Sequence, residues 1–368
     1  MSNCNRSYEL NFGPHHPSTH GLLRLKLTLN SEKIVSCLPE VGYLHRGVEQ
    51  LIENKKFISI IPYIDRLDYL APAIQEHAYV IAIEKLLKIK VPRRALIIRT
   101  IIDELTRISS HIMAIGCLTY ELGCLSLFLY CIEEREKIMD IFDAITGARM
   151  HLAYYIPGGV VEDITLENLN TIKLFINKLG RFMNAVKKIA LENRIFKLRT
   201  KDIGVITKNM AITNGLSGIN LRASGIEYDT RTSYGIYNEL TFKPITLTDG
   251  DCYARNMLRY LEIEQSINLI RQCLTLIEPG EISSYNCWSE DIKLPQNSII
   301  YSATETPRGE FGIHLYVGED QTKPQRLHFK SPSFASIQLL KTLLVGYTIA
   351  DVTSILGSLD FVMGCCDR

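Results

Sequence analysis

Ile97, Ile101, Leu105, Ile108, Ile112 and Ile115 step along the chain by three and four. Only a helix lines up residues so spaced on one face; a strand would scatter them over both. At 1.5 Å per residue the run makes a rod of roughly 28 Å, and a rod with one apolar stripe must be buried against others. Asp103, Arg107 and His111 recur at i, i+4 on another side, where the spacing predicts a polar face. Phe128, Ile132, Met139 and Phe142 repeat the pattern, and so do Leu169, Ile172, Ile176, Leu179, Met183 and Val186. Ile263, Ile267, Ile270, Leu274 and Ile277 mark a further helix, terminated by Pro279-Gly280.

The ends of the chain read differently. Leu23, Leu25, Leu27 and Leu29 alternate with Arg24, Lys26 and Thr28, a strand with one buried face. Asn30 to Lys33 reads as a turn and Ile34 to Cys37 as the returning strand. In 202–249 glycines become frequent and periodicity weakens, which predicts short strands and loops. Residues 298–329 read as a small β-region, with helix from Ser331. The expected class is α+β, a central bundle of long helices with an N-terminal β-hairpin or sheet and small peripheral β-regions. Its expected parts are 1–40, a β-region with a histidine loop; 41–201, the bundle; 202–250, irregular; and 251–368, completing the same domain.

Over 368 residues, 41 basic side chains face 40 acidic ones, which argues against a nucleic-acid-binding surface spread over the protein. The most apolar stretch, 343–366, is interrupted by Asp351 and Asp360 and falls short of a membrane span. No secretory or transit segment is read before the first motif, so the chain is expected to act where it is made or to be carried by a partner. None of the ten cysteines forms a Cys-x-x-Cys pair. Small apolar residues in a reduced core are the expectation, with Cys117, Cys124 and Cys131, seven apart, sharing one helix face. If the protein handles electrons, the metal centre belongs to another chain.

His15, His16 and His20 fall within six positions of a stretch broken by Gly13, Pro14 and Pro17, so the imidazoles sit on a loop beside the hairpin. That suits proton chemistry or metal ligation. It equally suits a polar surface turn, which composition alone favours. Gly42-Tyr43-Leu44-His45-Arg46-Gly47 is a second polar segment, and Thr146-Gly147-Ala148-Arg149-Met150-His151 a third. Asp65-Arg66-Leu67-Asp68-Tyr69 packs two carboxylates, a guanidinium and a phenol together, and on a helix Asp65 and Tyr69 would share a face.

Taken in order, Gly-Pro-His-His-Pro-Ser-Thr-His-Gly from 13, Leu44-His45-Arg46-Gly47, Asp65-Arg66-Leu67-Asp68-Tyr69, Glu76-His77-Ala78-Tyr79, Gly147-Ala148-Arg149-Met150-His151, Gly309-Glu310-Phe311-Gly312 and Asp367-Arg368 closely resemble the D-type subunits of respiratory complex I. That family is related to the large subunits of nickel-iron hydrogenases. The resemblance runs along essentially the whole chain, with His15 where relatives usually carry Gln. Hydrogenases hold nickel with two Cys-x-x-Cys pairs. Here the corresponding stretches are Asp68-Tyr69-Leu70-Ala71 and Val362-Met363-Gly364-Cys365, so only Cys365 remains and no metal is expected on this chain.

What the resemblance implies is a quinone pocket in place of the metal. Tyr69 would donate to one carbonyl and His20 to the other, with Glu121, one methylene longer than the family aspartate, as partner of His20. His16, Asp68 and Met113 would complete the pocket, and Ala71 stands where many relatives have Ser. Arg46, Arg66 and His151 would face the terminal 4Fe-4S cluster of a neighbouring iron–sulfur subunit. The expected substrate is ubiquinone, menaquinone suiting the same residues. Other peripheral-arm subunits and a membrane-arm subunit at the quinone entry are expected partners, NAD being handled by a distant subunit. Expected locations are the matrix face of the mitochondrial inner membrane, favoured as an organelle-encoded form, or the cytoplasmic face of a bacterial one. The 287–295 stretch is shorter than in relatives. A hydrogenase large subunit, a quinone reductase fed by ferredoxin or another donor, and an inactive assembly scaffold are the competing readings.

Overall fold

A computed structural model describes residues 7–19, 21–284 and 292–368. The first sheet is antiparallel, with β1 (Ser7–Phe12), β2 (Arg24–Asn30) and β3 (Lys33–Glu40) in that order. The two-residue turn between β2 and β3 is made by Ser31, in left-handed conformation, and Glu32. The alternation of β2 is read correctly from sequence: Leu25, Leu27 and Leu29 are buried, each worth about 1.5–3 kcal/mol of transfer free energy. Opposite them pack Ile337, Leu340 and Val352, so this sheet shares a core with the C-terminal helices.

After β3 come the short helices α1 (Val48–Ile52) and α2 (Ile61–Ile64), then α3 (Pro72–Leu87), α4 (Arg93–Glu121) and α5 (Leu125–Thr146). α4 is the axis of the molecule, touched by α3, α5, α10 (Cys252–Leu276) and α12 (Ile349–Leu359). Its isoleucine stripe is buried as expected. The opposite face departs from the sequence reading: Asp103, Arg107 and His111 are also fully buried. They remain polar because partners arrive from elsewhere in the chain. His77 Nδ1 donates to Asp103 at 2.6 Å, Arg107 Nη2 to the Glu305 carbonyl at 2.6 Å, and His111 Nε2 to Glu262 at 3.0 Å.

The seven-residue cysteine spacing does not mark one helix face either. Gly123, at φ 90°, ends α4 and reverses the chain, so Cys117 is on α4, Cys124 in the turn and Cys131 on α5. The eight described cysteines are free thiols; Cys4 and Cys287 lie outside the described residues. On α5 the buried face is Leu127, Cys131, Ile138, Met139 and Phe142, while Phe128 and Ile132 are only half-buried. The bundle continues through β4 (Tyr155–Ile156), β5 (Gly159–Val160), α6 (Leu166–Val186, capped by the Thr165 hydroxyl) and α7 (Arg194–Thr200, capped by Asn193).

Residues 202–250 contain no strand, contrary to the glycine-based expectation. They form α8 (Lys208–Thr213), α9 (Gly218–Arg222) and two single 3₁₀ turns. The segment is fixed by buried charge: Arg222 reaches Glu305 at 2.6 Å and Glu262 at 2.7 Å, and Arg231 reaches Asp229 at 2.7 Å. Gly218 is there for proximity, since a β-carbon on it would stand 2.4 Å from Gly309 Cα. The last part is the meander β6 (Ser298–Thr306), β7 (Gly309–Val317) and β8 (Arg326–Lys330), then α11 (Pro332–Leu343), α12 and α13 (Met363–Asp367). The meander is stitched to α3 by Ser302 and Thr304, whose hydroxyls donate to the Ala78 and Ile74 carbonyls. The whole is of the α+β class. Among the described residues no helix is long and apolar enough to cross a membrane.

Candidate functional site

A cavity of about 290 Å³ opens where α4, α5, the bend after α2 and the link between α12 and α13 meet. α4 contributes Met113, Cys117 and Glu121, four residues apart and therefore on one face. Tyr69 enters from the bend, Asp360 from the end of α12, and Pro17 from the N-terminal histidine loop. Leu70, Ala114, Phe128, Phe361 and Val362 make the rest of the wall largely apolar. A larger cavity of about 880 Å³ between α6 and the end of α10 holds none of the candidate residues.

The helix expected to carry both Asp65 and Tyr69 stops at Ile64, so the two face different ways: Asp65 is fully buried and Tyr69 is 39 % exposed. Burial, opposed by Arg308 and aided by Asp68 and Asp360, raises the Tyr69 phenol above its ordinary value, so it is a neutral donor. Asp68 does not line the cavity. It lies behind Tyr69, its Oδ2 accepting from Arg308 Nη1 at 2.8 Å, while Arg308 Nη2 reaches Asp360 Oδ1 at 3.4 Å. Burial, opposed by Arg308, moves the Asp68 carboxyl upward. Sequence reading missed Arg308; its only signal was a lone arginine beside a β-turn glycine, Gly309.

Glu121 closes α4 and rests against Gly357 of α12. His20 lies outside the described residues. The chain to either side of it is anchored: Pro17 lines the cavity, and Gly21 abuts Met363. His16 is not on the cavity wall; its ring lies against Phe12, tilted by 37° with centroids 4.2 Å apart, and its Nδ1 accepts from Ser18 N–H, which shapes the loop.

Of the three residues expected to face a cluster, Arg66 and His151 come together. Burial first, and then Arg66, push the His151 imidazole below its ordinary value. His151 sits at φ 56°, on the turn after α5. Arg46 is exposed on the separate 42–47 loop, which is held by Asp367: its carboxylate accepts from Gly42 N at 2.9 Å and Leu44 N at 2.8 Å. The 362–365 stretch packs against the chain just before Asp68, a β-carbon on Gly364 lying 2.7 Å from the Leu67 carbonyl. Cys365 is buried, 3.0 Å from Ser331 Oγ, its thiol pushed up to about 12 by burial. Among the described residues no group of three or more His, Cys, Asp or Glu is placed to hold a metal ion. Of the stretch 287–295, expected to be shortened, residues 287–291 lie outside the described residues.

Comparison with known proteins agrees along the whole chain. The profile of the family described as "Respiratory-chain NADH dehydrogenase, 49 Kd subunit" matches residues 121–287 and 280–368. The D-type NADH-quinone oxidoreductase subunit of Ehrlichia ruminantium (strain Welgevonden) is 42% identical, covering 98% of this chain and 97% of its own length. The NADH-ubiquinone oxidoreductase 49 kDa subunit of Acanthamoeba castellanii is 41% identical over 99% of this chain and 96% of its own. The counterpart in Rickettsia typhi (strain ATCC VR-144 / Wilmington), again a D-type NADH-quinone oxidoreductase subunit, is 40% identical over 99% and 100%. With a cavity joining its family motifs and relatives of this similarity over the full length, the chain belongs to the 49 kDa, or D-type, subunit family of the respiratory-chain NADH dehydrogenase.

Proposed function

We propose that this core subunit of an NADH:quinone oxidoreductase receives the quinone head group in the cavity under Tyr69, and that its side chains supply the protons of quinone reduction. One observation carries the reading: Tyr69, Met113, Glu121 and the histidine loop, drawn from three distant parts of the sequence, meet at one mostly apolar cavity. Such a cavity with a few convergent polar groups suits a flat, apolar ring with an oxygen at each end.

Reducing a quinone to a quinol takes two electrons and two protons. The electrons come from a partner subunit's iron–sulfur cluster, which is a one-electron donor. Tyr69, kept neutral by burial, gives its O–H proton to one carbonyl oxygen, and His20 gives an N–H proton to the other. The carboxylate of Glu121 stabilises the imidazolium and favours its reprotonation. Arg66 and, from its own loop, Arg46 make a positive rim towards the partner's cluster, with His151, which burial and Arg66 keep neutral, as a group that can take up a proton there. Positive groups there stabilise the reduced cluster.

The proton lost from Tyr69 leaves a negative charge on which Arg308 acts. Two unit charges ~4 Å apart interact by about 4 kcal/mol at an effective dielectric near 20. An interaction of that size competes with the contacts of Arg308 to Asp68 and Asp360, and so couples the event to the end of α12. The subunit rides on the membrane through its partners, on the matrix side in a mitochondrion or the cytoplasmic side in a bacterium.

Tyr69→Phe keeps the ring and removes the donor. In the assembled complex it should lower quinone reduction on the order of a hundredfold or more, the scale of a lost general acid, with the partner's cluster signal intact. Undiminished turnover with assembly intact would overturn the assignment.

A further inference from the structure

Behind the His151 turn two carboxyl groups meet with too few positive partners. Asp65 follows α2 and Glu76 is in the first turns of α3; both are fully buried. The Ala153 N–H points at both, 2.8 Å from Glu76 Oε1 and 3.3 Å from Asp65 Oδ2, so the two carboxyls converge on one donor. The other Glu76 oxygen accepts from Tyr154 N at 2.9 Å and Tyr155 N at 3.2 Å. Two buried carboxyl oxygens that share one donor stand too close for both groups to ionise, and a proton held by one of them can be donated to the other.

We propose that Asp65 and Glu76 hold one proton between them, and that this buried acid pair is the positioning element of the His151 turn. The charge inventory supports it. The cation acting on the pair is Arg66, whose exposed guanidinium is engaged with the Pro62 carbonyl. From α3 and α4, His77 and Asp103 are paired with each other, and Asp103 also takes the Tyr155 hydroxyl, so neither neutralises the pair. The pair's remaining negative charge is met by three backbone N–H groups of residues 153–155, which explains why Ala153 accepts a left-handed conformation at φ 43° and His151 one at φ 56°. Burial raises both groups, Asp65 to about 6 and Glu76 well above the usual range. The pair therefore keeps a proton at neutral pH, and gaining a second one as pH falls removes the negative charge buried behind the His151 turn.

The effect on a partner's cluster rests on the cluster-facing reading of His151; the shared proton does not. In infrared difference spectra of the assembled complex, wild type should show a protonated-carboxyl C=O band at neutral pH that shifts in D₂O. Each single amide, Asp65→Asn or Glu76→Gln, replaces the shared proton, so both variants should assemble and lose that band. The double variant D65N/E76Q should speed amide exchange at 153–155 at least about tenfold. Absence of the band in wild type, or its persistence in both single variants, would overturn the pair. The cluster's potential should change slope against pH near 6 in wild type and not in D65N. Loss of the band without that difference would leave the pair standing and remove His151 from the cluster.

Discussion

A β-carbon on Gly357 would stand 2.6 Å from Oε2 of Glu121. α12 makes room for this carboxylate by carrying no side chain at that point, so the acid and the glycine are two halves of one accommodation.

Gly357→Ala should therefore displace Glu121 and press on Leu118, whose Cδ1 would lie 2.9 Å from the new carbon. Overpacking of this kind costs about 1–3 kcal/mol. Quinone reduction should fall, and the shorter acid of Glu121→Asp should restore part of it when combined with G357A. Equal activity of the single and double variants would show that the two residues do not act on each other.

His111 sets an acid limit. Burial, only partly offset by its hydrogen bond to Glu262, pushes its imidazole down to about 4 from 6.5. It is neutral in the folded chain, with Nε2 donating to a carboxylate held ionised by Arg222. The unfolded chain binds the proton first as pH falls, so this stability is present above pH 6.5 and is lost between 6.5 and about 4. The loss is at most about 3 kcal/mol. His111→Gln, which keeps a donor but cannot titrate, should flatten the fall of the urea midpoint over that window. An unchanged acid slope would remove His111 as its source.

Long helices and the leucine-alternating hairpin are legible in the sequence, because periodicity reports which faces are apolar. It does not report what covers a polar face. Asp103, Arg107 and His111 look solvated on α4 because their partners His77, Glu305 and Glu262 lie elsewhere in the chain. The glycines of 202–250 suggested strands, whereas Gly218 permits a close approach to Gly309 in a segment held by buried ion pairs. A spacing of seven joined three cysteines across a helix end that Gly123 makes. Of the site, Tyr69, Met113 and Glu121 were accessible through the resemblance; Cys117, Arg308 and the Asp65–Glu76 pair were not, since only the tertiary fold brings their partners to them.

Asp367→Ala should free the 42–47 loop. It removes two hydrogen bonds from backbone N–H groups to a carboxylate, each worth about 1.5–3 kcal/mol. Faster exchange of the Gly42 and Leu44 amides is the expected result, with weaker association of the partner iron–sulfur subunit. Unchanged protection at both would mean that the loop is held by other contacts.

That tie joins positions 325 residues apart. A ribosome must reach residue 367 before the loop bearing Arg46 can be pinned, and contacts of such long range form late. A nascent chain short of that point would offer an unformed edge, so a partner that docks on this loop would pass it over.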